Sequence, residues 1–225
     1  MENPVRIAAR EFIMRNEKTT HRSVLTPSRW AGSGMLETVQ RLNARCVALL
    51  AQAALERSAA QRSAGVYASR ELWIRMDEPA CRRAGTCPVF LLDLNFHDTA
   101  WWMTASDPAQ QAATAGGPLA DKRFAEPLRE ALMEAWSTAR SMPQLLAFPF
   151  GIAPGTAALI GKLSPAGLDR ILALHGEGAR PRWPQNRTFW DMLLTAAVSS
   201  DDDSLQRARL YSLQLLGGEF LKPLH

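Results

Sequence analysis

Cysteine is scarce in this chain: its 225 residues hold three, Cys46, Cys81 and Cys87. An odd, sparse set excludes a secreted disulfide framework. Cys81 and Cys87 form one pair with no second Cys or His pair nearby, whereas a structural zinc site needs four N/S ligands. Metal is therefore not expected, and the thiols read as buried and free. Long apolar runs are also missing, and nothing approaches the ~20 residues that span a bilayer. Met1–Arg15 scatters charges where a secretory signal would carry an apolar stretch. The expected compartment is the cytoplasm, with no membrane partner. G-x-S-x-G and H-E-x-x-H are both absent. Gly32-Ser-Gly34 and Gly176-Glu-Gly178 lack the strand–glycine–helix setting that cradles a phosphate, and no Lys-Ser/Thr follows them. No enzyme activity and no cofactor are expected.

What the chain has is apolar material in helical rhythm. Hydrophobic residues make up 47%, enough for a substantial core, and the formal net charge is +4. Residues 1–35 show little periodicity and break at Pro27, Gly32, Ser33 and Gly34, which reads as an arm and linker. This arm is basic: Arg6, Arg10, Arg15, Lys18, Arg22 and Arg29 stand against Glu2, Glu11 and Glu17. It is either a frayed terminus or an electrostatic handle. Residues 36–103 read as a helical unit. Leu36, Val39, Leu42, Cys46, Leu49, Leu50 and Ala53 recur at three- and four-residue steps, on a stripe that one short partner helix would not cover. A homo-oligomer, or burial of this stripe in a partner protein, is therefore expected. Residues 104–121, rich in Ala, Gln, Gly and Pro, read as a linker, and 122–225 as a second helical unit. There Phe124, Leu128, Ala131, Leu132, Ala135, Trp136 and Ala139 form another stripe, and Ser164-Pro165 opens a helix that Gly176 closes. Thr188 is the expected cap of the next helix. The fold class is mainly α, with no repeat of solenoid period. Pro88–Phe96 is an apolar run that is either a buried strand or a buried helical turn.

Two clusters carry candidate chemistry. Asp93, His97 and Asp98 put carboxylates beside an imidazole, but no nucleophile motif accompanies them, and Asp98 also suits a helix cap. The second cluster follows a pair of short helices, about 157–163 and 165–175, joined by Leu-Ser-Pro. Such a pair is compatible with helix–turn–helix DNA-binding modules. Just beyond it, Arg180, Arg182 and Arg187 alternate with Trp183, Phe189 and Trp190. Guanidinium groups neutralise phosphates or read guanine edges, and aromatic rings stack. In the alternative reading the rings are core and the arginines pair with Glu177 and Asp191.

The stretch Phe148–Ala173 has a Phe-x-Phe-Gly-Ile entry, a small-residue helix and a Leu-Ser-x-x-x-Leu turn into a second helix, followed by the aromatic-basic segment. In this it resembles the C-terminal part of the bacterial flagellar transcriptional activator FlhD family. The resemblance implies a helical, oligomeric transcriptional regulator that binds DNA, possessing a second regulatory protein as partner. FlhD acts with FlhC, which carries a four-cysteine zinc site; this chain lacks that cysteine set, so zinc is not implied. The expected function is a DNA-binding transcriptional regulator of motility or related genes. Arg180, Arg182 and Arg187 are its first expected DNA contacts, and Lys162 and Arg170 on the short helices its second. The alternatives are a helical protein-interaction adaptor or secretion-system accessory factor, and a small enzyme centred on Asp93, His97 and Asp98.

Overall fold

Several helices of this chain begin where a polar side chain covers backbone N–H groups that have no intrahelical partner. Asp77 accepts from the Ala80 N–H at 2.8 Å, Asp98 from Trp101 at 2.9 Å, Ser164 from Gly167 at 3.0 Å and Asn186 from Phe189 at 3.0 Å. A computed structural model describes residues 27–57, 65–107 and 122–221. In chain order it gives α1 (Pro27–Glu56), α2 (Arg70–Ile74), α3 (Glu78–Gly85), β1 (Leu92–Asp93) and α4 (Thr99–Ser106). Then follow α5 (Ala125–Ala139), α6 (Pro154–Lys162), α7 (Pro165–His175), β2 (Arg180–Pro181), α8 (Arg187–Ser199) and α9 (Asp202–Leu221). The class is mainly α, as the periodicity predicts. No helix among the described residues is long and apolar enough to cross a membrane.

The boundaries correct several sequence expectations. By packing, the chain divides into Met1–Gly34 and Met35–His225. The units expected at 36–103 and 122–225 thus form one compact body. Pro27–Gly34, read as linker, is helical. Proline at a first helical position loses no hydrogen bond, so Pro27 opens a helix here. Asn186, not Thr188, caps α8. The basic arm at residues 1–26 and most of the 104–121 linker lie outside the described residues.

Within Met35–His225 one plan occurs twice. A long helix, a glycine with positive φ (Gly65, Gly151), a short helix, a capped helix, a two-residue strand, a left-handed residue (Asn95, Trp183) and a capped helix follow one another in both halves. The halves interlock reciprocally, as a twofold exchange of one for the other requires. β1 pairs antiparallel with β2, with Leu92 opposite Pro181 and Asp93 opposite Arg180. Because Leu92 corresponds to Arg180 and Asp93 to Pro181, this register maps onto itself when the halves exchange. Helix α8 packs on α2 and α3, and reciprocally α4 packs on α6 and α7. The Val66 N–H donates to the Pro184 carbonyl at 2.8 Å, and the Ala153 N–H to Phe96 at 3.0 Å. Two ion pairs between α1 and α5, Arg41–Glu130 and Arg45–Glu126, also exchange. The Arg41 hydrogen bond holds the Glu130 carboxyl below the ordinary carboxylate range.

The core runs through this junction. Val39, Leu42, Cys46, Val47 and Leu50 of α1 are fully buried, as are Ala131, Leu132 and Ala135 of α5. The α1 stripe is thus covered by its own chain, which removes the reason for expecting a second copy over it. Asn43, also buried, donates to the Cys87 and Val89 carbonyls and accepts from the Leu91 N–H. That fixes the apolar segment 87–91 against α1 without a ladder. Corresponding caps predict corresponding losses. Asp98→Ala and Asn186→Ala are each expected to lower stability by about 1 kcal/mol. Urea unfolding checks this, and unchanged midpoints would show that the caps do not hold these helices.

Candidate nucleic-acid interface

A helix–turn–helix sets the N-terminal end of its second helix into the major groove, so the residues around the start of that helix come first. Lys162 ends α6, and Ser164 caps α7 immediately after. In the other half Arg75 follows the end of α2, and Asp77 caps α3. Each cation lies two positions before its cap, each is exposed, and the twofold relation makes them equivalent. Arg170 of α7 corresponds to Arg83 of α3. Arg170 is exposed, whereas half-buried Arg83 donates its Nε–H to the Ala197 carbonyl at 2.6 Å, near the C-terminus of α8.

The three arginines expected as leading contacts fare differently. Arg182 is 1% exposed. Its Nη2 donates to the Phe150 carbonyl at 3.0 Å, and Asp93 and Glu219 lie 3.7 and 3.4 Å from its guanidinium. It holds the interior together and does not reach a phosphate, which corrects its assignment as a DNA contact. Burial is possible because two carboxylates from distant segments offset the cost of desolvating the cation. Arg180 is half-exposed but donates to Asp93 and Asn95, both at 2.9 Å, across the strand pair. Arg187 is the most open of the three and bonds Asp191 one turn along α8 at 3.0 Å. The aromatic residues between them are packed inward. Phe189 and Trp190 are fully buried, and Trp183 is half-buried with its ring edge-on to Phe189. The reading of rings as core and of Arg187 with Asp191 describes this segment.

The other candidates separate. Asp93 is buried under Arg180 and Arg182 and accepts from the Phe96 N–H. Asp98 is spent on its cap. Among the described residues no hydrogen bond joins His97 to either carboxylate, and its Nδ1 is buried without a partner. Cys46, Cys81 and Cys87 are buried and free, and burial raises each thiol above its ordinary pKa. Among the described residues no three metal-ligating side chains converge.

Arg75 escaped the sequence reading. Its signal was the recurrence of a cation, one apolar residue, a capping side chain and an early proline: Arg75-Met-Asp-Glu-Pro79 and Lys162-Leu-Ser-Pro165. The chain matches no family model, no curated protein and no solved structure.

Proposed function

We propose that this chain is a DNA-binding regulator that carries a two-sided DNA-reading surface in a single polypeptide. The observation that carries this reading is the equivalence of Arg75 and Lys162, exposed cations at the same corner of two twofold-related helix pairs. Duplex DNA has local twofold symmetry, and dimeric helix–turn–helix proteins match it with two copies of one module. Here the two modules belong to one chain. The FlhD resemblance at Phe148–Ala173 points to the same class of function. Arg170 and Arg187, both exposed, extend the cationic surface beyond the corner. The Arg187–Asp191 pair is a solvent-exposed helical pair of a kind that contributes only about 0.3–0.5 kcal/mol, so a phosphate readily competes for the guanidinium.

The test is a salt titration with duplex DNA. The wild type is expected to bind at low salt, with log affinity falling linearly against log salt. Replacing Arg75 and Lys162 together by Gln removes two phosphate contacts, so the slope is expected to flatten by about 2 × 0.9. Thermal unfolding should hardly change, because both side chains are exposed. A wild type that ignores DNA at low salt sinks this reading and leaves the protein-interaction adaptor in its place.

A further inference from the structure

The twofold relation also shows where the halves differ. In the second half α5 lies tightly on α6 and α7. Trp136 reaches across and donates its Nε1–H to the Leu163 carbonyl at 2.8 Å. Arg129 clamps Asp169 with two hydrogen bonds of 2.6 and 3.1 Å, and Met133 packs between them on the core. The swapped ion pairs align α1 with α5, so that these three residues correspond to Ala51, Ala44 and Ala48. All three positions are alanine on α1. The space they vacate is a cavity of about 750 Å³ between α1 and the α2–α3 pair. That volume lies within the range of small-molecule sites, about 300–1,000 Å³.

The cavity keeps the groups that Trp136 and Arg129 meet on the other side. Met76 corresponds to Leu163, each directly preceding a cap. Among the described residues its carbonyl accepts a long contact from the Cys81 thiol, 3.7 Å, and no indole N–H. Trp73 and Cys81 form apolar wall. Arg82 stands where Asp169 stands, and Ala44 holds the α1 position that corresponds to Arg129; Arg41 and Arg45 also line the cavity but are paired with Glu130. The partner of Arg82 is Glu78, an exposed pair one turn away on α3. Such pairs are weak, so Arg82 is available to an incoming anion.

We infer that this cavity binds a planar aromatic ligand with one N–H donor and a carboxylate, of the indole-carboxylate class. The ring takes the place of the missing Trp136 equivalent, its N–H donates to the Met76 carbonyl, and the carboxylate pairs with Arg82. The inference does not depend on DNA binding. Calorimetric titration of the full chain with indole-3-acetate tests it. Indole-3-acetate is expected to bind more tightly than indole, and tryptamine, which brings a cation to Arg82, more weakly than either. Ala51→Trp, which restores the other half's residue, is expected to weaken binding at least tenfold. Ala48→Met does the same from a neighbouring position should Ala51→Trp fail to fold. Arg82→Gln is expected to weaken indole-3-acetate severalfold and leave indole unchanged. No binding of indole-3-acetate at millimolar concentration overturns the inference. So does wild-type affinity in a cavity-filling variant that still unfolds cooperatively.

Discussion

Arg182→Ala is expected to destabilise the chain by about 3–5 kcal/mol, the cost of breaking a buried charge pair by removing one partner. Arg182 is the largest buried charged side chain among the described residues. It gathers the Phe150 carbonyl, Asp93 of β1 and Glu219 of α9. Glu219 has a buried carboxylate oxygen that takes no hydrogen bond and is compensated by Arg182 Nη1 at 3.4 Å, so removing Arg182 leaves that charge uncompensated. Asp93 retains Arg180 and suffers less. Adding Glu219→Gln should therefore recover part of the loss, because the uncompensated charge disappears with it. Gly151 faces the same guanidinium: a Cβ there would lie 1.9 Å from Nη1, on a backbone with φ of +63°. Urea unfolding of the single and double variants checks the ledger. A loss under about 1 kcal/mol for Arg182→Ala would mean that the pair is not holding the junction.

Trp190→Ala is expected to cost a comparable ~3–5 kcal/mol, the range for large aromatic truncations in a core. The indole is fully buried, contacts Trp73 and Phe189, and donates to the Arg182 carbonyl at 3.1 Å. It joins α8 of one half to α2 of the other. Trp102 of α4 holds the corresponding place and is equally buried, so Trp102→Ala should fall in the same range. Thermal and urea unfolding read both. Trp190→Ala unfolding like the wild type would mean that this ring does not hold the two halves together.

The sequence made the helices legible because local signals agree with burial. The α5 stripe, the Ser164 cap with Pro165 and the acidic start of α9 all lie where periodicity and capping put them. Arg182 was not legible. A cation between Pro181 and Trp183 looks exposed until Asp93 and Glu219 arrive from distant parts of the chain. The twofold plan was hidden for a different reason. Gly65 and Gly151, Arg83 and Arg170, and Trp102 and Trp190 are identical pairs, but other corresponding positions share geometry and not side chains: Asp77 with Ser164, Asp98 with Asn186, Asn95 with Trp183. A capping oxygen or a left-handed φ admits several residues, so equal backbone roles leave little residue identity. The apolar run from Pro88 to Phe96 stayed ambiguous because it is largely neither strand nor helix. Only Leu92–Asp93 pairs as strand, and the segment before it is held by Asn43.

The central claim is that two equivalent corners of one chain present one cation each to the same duplex. Its most direct test compares Arg75→Gln with Lys162→Gln singly, by fluorescence anisotropy of a labelled duplex across a salt series. Each single variant is expected to flatten the slope of log affinity against log salt by the same ~0.9. The two losses should add in the double variant. A wild type that does not bind, or a slope that depends on only one of the two residues, would contradict the claim.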